Sequence, residues 1–213
     1  MKKNSLSEKK RKESAILEAS LRVIKQKGFH RARMSDISEE AGISYGLVYH
    51  YFKNKEDLFD AILHRWWDGL FQLMEKIIRD KDAGPQNLRR IIYYFLDTYQ
   101  THPELVHIFI TEISRSTANL TNTRLEHFKK FMTLVETLIA KGQKDGIVRK
   151  DFKARYLTYI FLGSLETFIS AMVLVDQRIK NDAQKERIAQ SILEVFLSGA
   201  GNQKEDSPRR QDI

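Results

Sequence analysis

Cysteine is absent from this chain of 213 residues, and proline occurs only three times. Without thiol groups the chain forms neither disulfides nor thiolate metal sites. The six histidines show no His-Glu-x-x-His spacing, and neither a Gly-x-Ser-x-Gly motif nor a phosphate-binding glycine loop occurs. We therefore predict that the protein is not an enzyme and holds no metal and no cofactor of its own.

Long apolar runs are also scarce. By inspection, no stretch approaches the roughly 18 to 20 apolar residues that a membrane span needs. The first residues are charged and run directly into an amphipathic pattern, unlike a secretory signal with its apolar centre. We therefore expect a globular protein in the cytoplasm, with no membrane partner.

Positive charge is concentrated at one end of the chain. Residues 1–55 hold 13 Lys or Arg and 6 Asp or Glu, whereas the other 158 residues are almost neutral, with 23 and 22. A lysine-rich, solvated terminus is one explanation. Beside a DNA-binding motif the same excess becomes a phosphate-facing patch, because neutralising phosphates supplies most non-specific affinity for DNA.

Apolar residues recur at helical spacing through nearly the whole chain, which predicts an all-α fold of about nine helices. The expected helices are 7–27, 33–41, 44–51, a long one from about 54, 85–99, a short one from 103 to about 114, 122–144, 151–179 and 181–198. A small N-terminal domain, 1–60, and a larger one, 61–201, are expected to meet within the long helix near Asp60. The polar residues 202–213 are expected to be disordered.

The segment Met34–Lys55 reads as two short helices joined by a tight turn. Ile37 and Ala41 share one face of the first helix, and Gly42 takes the positive φ that a helix end favours. Ser44 is a suitable N-cap for the second helix, because a serine hydroxyl accepts a hydrogen bond from a first-turn amide. The pattern predicts a helix-turn-helix, whose second helix enters the major groove of DNA.

The second of these helices has an unusual outer face. Val48 and Phe52 point inward by spacing, and Leu47 either joins them or reads a base. The outward side chains of a solvated helix are usually charged, but here they are three tyrosines and a histidine: Tyr45, Tyr49, His50 and Tyr51. Tyrosine hydroxyls are neutral donors to phosphate, and Gly46 allows close approach of the backbone to the groove.

A dense set of residues at fixed spacings surrounds this motif between Ala15 and Phe59. Its members are Gly28, Phe29, Asp36, Ile37, Ala41, Gly42, Ile43, Ser44, Gly46, Tyr49, Tyr51, Phe52, Lys55, Glu56, Leu58 and Phe59. The set resembles the DNA-binding domain of the TetR (tetracycline-repressor) family of bacterial regulators. The rest of the chain is similar to that family only in the number, length and order of its helices.

The resemblance implies a homodimer that binds a palindromic operator in double-stranded DNA and releases it when a small ligand binds. Residues 61–201 would form the effector and dimerisation domain, with the last two long helices of each subunit paired in a four-helix bundle. Tyr45, Gly46 and Leu47 correspond to base-reading positions, and Tyr49, His50 and Tyr51 to backbone-contacting ones. Lys55 would anchor a phosphate.

One position departs from the family pattern. The family places Thr or Ser ahead of the first motif helix, as cap and phosphate contact, whereas Ala32, Arg33 and Met34 stand here. Arg33 would then make the phosphate contact, and Ser35 would supply the cap.

Aromatic and Met residues in the second domain suggest a pocket for an apolar effector, although each one alone is also explained as core. The candidates are Trp67, Phe71, Met74, Phe95, Phe109, Phe128, Met132, Phe161 and Phe168. Glu112 and Glu166 lie in apolar helical stretches, where a carboxylate needs a partner such as Arg115 or a ligand.

The segments Glu112–Ser116 and Phe161–Thr167 are loosely similar to the fatty acyl-CoA-responsive branch of the family. This similarity implies an acyl chain in the Phe and Met core and coenzyme phosphates at Arg89, Arg90, Arg115 or Arg124. Two alternatives stand beside it. One is a regulator of multidrug efflux that binds hydrophobic drugs, and the other is a structural protein that coats DNA without sequence preference.

Overall fold

The computed structural model describes residues 2–80, 84–108 and 122–200. The described residues form nine helices: α1 Lys2–Lys27, α2 Met34–Ala41, α3 Tyr45–Tyr51, α4 Lys55–Arg79, α5 Pro85–Thr101, α6 Pro103–Ile108, α7 Asn122–Lys144, α8 Ala154–Leu174 and α9 Asp182–Ala200. The predicted all-α fold is confirmed. The expected end of the sixth helix near residue 114 and the expected tail 202–213 lie outside the described residues.

The chain divides into two compact units, and the division falls inside α4. Of the described residues, 2–70 and 101–108 belong to the first unit, and 71–80, 84–100 and 122–200 to the second. The expectation that 1–60 folds as a separate domain stays a prediction.

The first unit is built on the wide apolar face of α1. Ile16 and Ala19 on α1, Ile37 on α2, Val48 on α3 and Leu58 on α4 are all fully buried. At roughly 25 cal/mol for each Å² of apolar surface, such burial is the main force that holds the short helices α2 and α3 against α1 and α4. These helices therefore form a fixed frame, and only their outer faces are available to a partner.

In the second unit α8 packs against α7 and α9. The predicted span 151–179 for this helix is wrong at both ends. Lys153 is an extended N-cap, and at the other end Asp176 adopts a φ of 48° while the Gln177 amide donates to the Met172 carbonyl at 2.8 Å. A residue in the left-handed region stops an α-helix, so α8 ends at Leu174.

By length and composition alone, α8 would qualify as a membrane-spanning helix. The expectation that no stretch approaches that limit is therefore wrong for Ala154–Leu174. Eight of its residues are buried within the fold, including Phe161 and Leu165. The helix is apolar on its inner face because it packs between two neighbours.

Candidate functional site

The start of α2 is held by Asp36. Its carboxylate accepts a hydrogen bond from the Arg33 amide at 3.0 Å and lies 3.0 Å from Lys27 Nζ at the end of α1. The hydrogen bond from Lys27, followed by that from the Arg33 amide, keeps the pKa of the Asp36 carboxyl below its usual value. The cap that we expected from Ser35 thus comes from Asp36, at the N3 position of a capping box.

The predicted turn between α2 and α3 is present. Gly42 adopts a φ of 63° and donates its amide to Glu39, and the Ile43 amide donates to the Ser38 carbonyl at 3.0 Å. A side chain at Gly42 would be strained by this backbone conformation. The turn therefore sets the angle between α2 and α3 through main-chain geometry.

Ser44 occupies the N-cap position of α3, as predicted, but its hydroxyl makes no capping hydrogen bond. The Ser44 carbonyl instead accepts from the amides of Leu47 and Val48 at 2.9 and 3.1 Å. The predicted side-chain cap is wrong. Ser44 is exposed at the start of α3.

The outer face of α3 carries the predicted reading residues. Tyr45 and Tyr49 are 52% and 41% exposed, and His50 is exposed too. Gly46 is exposed, and a Cβ added there would meet no atom within 4 Å. Leu47 and Tyr51 are half-buried, so each contributes partly to the frame and partly to the surface.

Tyr45 and Tyr49 act as a pair. Their rings make an edge contact with centroids 4.8 Å apart, and the Tyr45 hydroxyl donates to the Tyr49 oxygen at 3.2 Å. That hydrogen bond is the largest cause of a raised pKa at Tyr49, followed by desolvation. The Tyr49 hydroxyl is therefore neutral at neutral pH, and a neutral hydroxyl can both donate and accept hydrogen bonds.

Lys55, the first residue of α4, lies half-buried. Its Nζ donates to the carbonyls of Phe29 and His30 at 2.7 and 3.2 Å and lies 4.5 Å from the centre of the Phe29 ring. Arg31 and Arg33, which follow His30 in the chain, and Lys53, two residues before Lys55, are exposed. Sequence reasoning missed Lys53 and Arg31, which stand in turns without helical periodicity.

In the second unit, aromatic residues of α4 and α5 meet α7. The Phe71 ring lies 5.7 Å from that of His127 and 4.1 Å from Lys130 Nζ, while Phe95 and Phe131 have ring centres 5.7 Å apart. Met74 is fully buried, Met132 is half-buried and Phe128 is 49% exposed. Phe71 and Met74 thus lie in the core of this unit and Phe95 is half-buried at its edge, and their assignment to an effector pocket stays a prediction.

Other predicted pocket residues lie elsewhere. Phe161 packs on Phe196 of α9, with ring centres 5.2 Å apart, and Trp67 belongs to the first unit, beside Trp66. Phe168 is 38% exposed on α8, and the exposed Glu166 accepts from Ser170 Oγ at 2.7 Å. The prediction that placed Phe168 and Glu166 in an internal pocket is therefore corrected, since both side chains lie on the surface of α8. Phe109, Glu112 and Arg115 lie outside the described residues.

The arginines suggested for coenzyme phosphates have protein partners of their own. Arg89 binds Glu186 of α9 and lies 5.6 Å from the ring centre of Tyr93. Arg90 lies 3.7 Å from the carboxylate of Asp80, and Arg124 is half-buried on α7. A phosphate at Arg89 would have to compete with an existing ion pair.

An apolar groove of about 470 Å³ runs between α8 and α9. Its exposed walls are Phe152, Ile160, Phe168 and Val195, which are 46, 58, 38 and 76% exposed, and small residues such as Ser164 and Gly199 lie between them. Large apolar side chains at these exposures are costly in water. The groove therefore has the composition of a surface that a protein partner covers.

Two family models match the chain. The model described as "Bacterial regulatory proteins, tetR family" matches residues 16–62, which contain α2, the Gly42 turn and α3. The model described as "YsiA-like protein, C-terminal region" matches residues 67–197. The chain belongs to the TetR family of bacterial regulators. The resemblance that the motif residues predicted is confirmed.

Relatives of this TetR-family chain are transcription regulators. A fatty acid metabolism regulator protein of Bacillus subtilis is 24% identical over 197 residues, which are 92% of this chain and 100% of the relative. The crystal structure of the transcriptional regulator FadR from Bacillus subtilis in complex with stearoyl-CoA has a TM-score of 0.73 at 23% identity, covering 87% of this chain and 98% of that one.

A second structural neighbour has another role. SmeT, the repressor of the Stenotrophomonas maltophilia multidrug efflux pump SmeDEF, has a TM-score of 0.72 at 17% identity and covers 92% of this chain and 94% of that one. At these identities the structural likeness establishes the fold alone. The protein is a TetR-family regulator, and its effector is a separate question.

Proposed function

We propose that this protein is a ligand-responsive repressor of the bacterial cytoplasm that binds a palindromic operator as a homodimer and leaves it when a small apolar effector binds. The outer face of α3 is the observation that supports DNA binding. It presents aromatic hydroxyls, an imidazole and a bare backbone position, Gly46, on a frame of buried helices. A major groove accepts such a helix, because bases and phosphates both offer acceptors to it.

Within this proposal the residues of α3 have two roles. Tyr45, Gly46 and Leu47 face base edges, whereas Tyr49, His50 and Tyr51 contact the DNA backbone. The exposure of the Tyr49 ring and its neutral hydroxyl support the second role, because a tyrosine hydroxyl can donate to phosphate. Arg33, Ser35 and Ser44, all exposed at the starts of α2 and α3, complete the proposed interface.

The groove between α8 and α9 supports the proposed dimer. A second copy of the same face would cover its exposed Phe, Ile and Val side chains. Gly163 lies on the exposed side of α8, with no atom within 4 Å of an added Cβ, so two such helices can approach closely there. A two-fold dimer places two α3 helices on a two-fold symmetric DNA site.

For the effector we propose a long-chain fatty acyl-CoA. The buried Phe71 and Met74 and the half-buried Phe95, which contacts Phe131, suit an acyl chain, because aromatic and Met side chains adapt to irregular apolar shapes. The matching fatty acid metabolism regulator and the stearoyl-CoA complex of a structural neighbour support the same class.

Footprinting on DNA selected from a random pool tests the proposal. We expect one protected palindrome with two equivalent half-sites, released by micromolar stearoyl-CoA but not by free coenzyme A or stearate alone. Protection without a discrete site would mean a DNA-coating protein instead. Release by hydrophobic drugs but not by acyl-CoA would support the proposed operator binding but contradict the proposed effector. It would indicate a regulator of efflux instead.

A further inference from the structure

Lys55 is the lysine that the family pattern offers as a phosphate anchor, yet its ammonium group is used inside the protein. It donates to the carbonyls of Phe29 and His30, 2.7 and 3.2 Å away. An ammonium has three N–H donors. Two of them are therefore taken by main-chain oxygens on a segment 25 to 26 residues earlier in the chain.

The ring of Phe29 covers the same ammonium group. Lys55 Nζ lies 4.5 Å from its centre, and the ring is itself fixed by Phe59 of α4, with centres 5.2 Å apart. A cation over an aromatic face is attracted by the ring and loses part of its hydration. Lys55 is thus half-buried, with its charge directed toward the segment between α1 and α2.

That segment carries two exposed arginines. It begins at Gly28, whose φ is 78°, and a hydrogen bond of 3.1 Å from the Ala32 amide to the Gly28 carbonyl closes a turn. Arg31 Nε donates to the Lys27 carbonyl at 2.9 Å, and Arg33 follows as the residue before α2. Movement of the turn would move both guanidinium groups.

We propose that Lys55 is a positioning residue, which fixes the turn Gly28–Ala32 against the start of α4, and that Arg31, Arg33 and Lys53 make the phosphate contacts instead. Lys53 is exposed in the turn before α4, where its amide donates to Asp57 at 3.0 Å. This inference rests on the proposed DNA binding, but the turn itself is testable without DNA.

Hydrogen exchange on the free protein tests the positioning role. In a Lys55→Met variant, which keeps the apolar stem, we expect the Ala32 amide to exchange about tenfold faster, because the turn loses two hydrogen bonds to a charged group. The matched variant Lys53→Met leaves that rate unchanged. Unchanged exchange at Ala32 in Lys55→Met would overturn the proposal, even if no operator were ever found.

Salt dependence of operator binding tests the division of roles. Each phosphate contact contributes about 0.9 to the slope of log K against log salt concentration. We expect Lys53→Met to lower the steepness of that slope by about 1 and Lys55→Met to keep the wild-type slope while weakening binding about tenfold. A reduced slope in Lys55→Met would show a phosphate anchor and overturn the inference.

Lys55→Arg separates the two roles if the Met variant is poorly folded. A phosphate anchor tolerates arginine, whereas a planar guanidinium does not reproduce an ammonium held between two carbonyls and a ring. We therefore expect Lys55→Arg to bind the operator as weakly as Lys55→Met. Wild-type affinity in the arginine variant would overturn the proposal. Absence of any operator binding by the wild type would instead count against the proposed function.

Discussion

Aromatic side chains stand exposed in both units, on α3 in the first and beside α8 in the second. Those on α3 carry a hydroxyl or an imidazole, as in Tyr45, Tyr49 and His50, whereas Phe152 and Phe168 at the α8–α9 groove carry hydrocarbon alone. A ring with a polar tip suits a hydrated, hydrogen-bonding partner, and a bare ring suits a dry interface. The two sets of rings are similarly exposed, but their chemistry indicates a polar partner for α3 and an apolar partner for the α8–α9 groove.

The two surfaces also differ in how they are supported. Near α3, Asp36 in the first turn of α2 and Lys55 at the start of α4 make polar contacts that fix the ends of helices already held by the apolar core. Beside α8, Phe161 and Phe196 pack directly beneath the groove. The first surface is thus sensitive to changes in hydrogen bonding, and the second to changes in shape and charge.

The largest effect is expected from Ile160→Arg at the α8–α9 groove. Ile160 is 58% exposed, so the protomer should fold normally, whereas a dimer would bury an unpaired charge. We expect the dissociation constant of the dimer to rise at least about 100-fold, or roughly 2.7 kcal/mol. Sedimentation equilibrium measures it.

Ile160→Leu is the matched control and should remain dimeric, because it keeps the apolar surface. An arginine variant that dimerises as tightly as the wild type would show that this groove is not the subunit interface. Operator affinity should fall together with dimerisation, since two α3 helices are needed for a palindrome.

Gly46→Ala is expected to have the next largest effect, and on DNA binding only. The added methyl group meets no protein atom within 4 Å, and alanine favours a helix over glycine by up to about 1 kcal/mol. The melting temperature should stay equal or rise, while operator affinity falls about tenfold as the backbone is held away from the groove. Unchanged affinity would place Gly46 outside the interface.

Substitutions at the tyrosine pair separate base reading from backbone contact. Tyr49→Ala should weaken binding to every operator variant by a similar factor of about three to ten, because a phosphate contact carries no sequence information. Tyr45→Ala should change the order of preference among single-base operator variants. Anisotropy titrations on a panel of such variants measure both, and an unchanged order in Tyr45→Ala would remove its base-reading role.

The smallest effect concerns acid stability at Asp36. Its pKa is depressed in the folded protein, so it stabilises the fold above the unfolded value near 3.8 and loses that contribution as pH falls through the lower folded value. Asp36→Asn should therefore melt lower than the wild type by a constant amount from pH 5 to 8. The difference should shrink below about pH 4. If the difference in melting temperature between the two proteins stayed constant below pH 4, the Asp36 carboxylate would not be the source of the stabilisation.

Local features of the fold were predictable from the sequence. The Gly42 turn follows from a residue type that tolerates positive φ, and α7 begins and ends where its apolar repeat and Asp145-Gly146 place it. These features depend on a few neighbouring residues. The family motif extended the prediction to α3, because its residues lie within one continuous stretch.

Features that depend on distant residues were not predictable in the same way. Glu166 and Phe168 were expected to line a pocket, yet both are exposed on α8, and which face of that helix is covered depends on its neighbours in space. Helical spacing places Phe161 and Phe168 on nearby faces of α8, but it does not say which face meets α9. Lys55 likewise has its partners 25 and 26 residues away.

Both tryptophans of the chain, Trp66 and Trp67, lie in one turn of α4, with ring centres 4.9 Å apart. All tryptophan emission therefore originates from a single turn of the helix that belongs to both units. Trp67 is buried and Trp66 half-buried, so the two contribute bluer and redder components. The unlabelled protein thus contains its own optical reporter, and a change in its emission spectrum on adding an effector would report a change in the surroundings of these two rings.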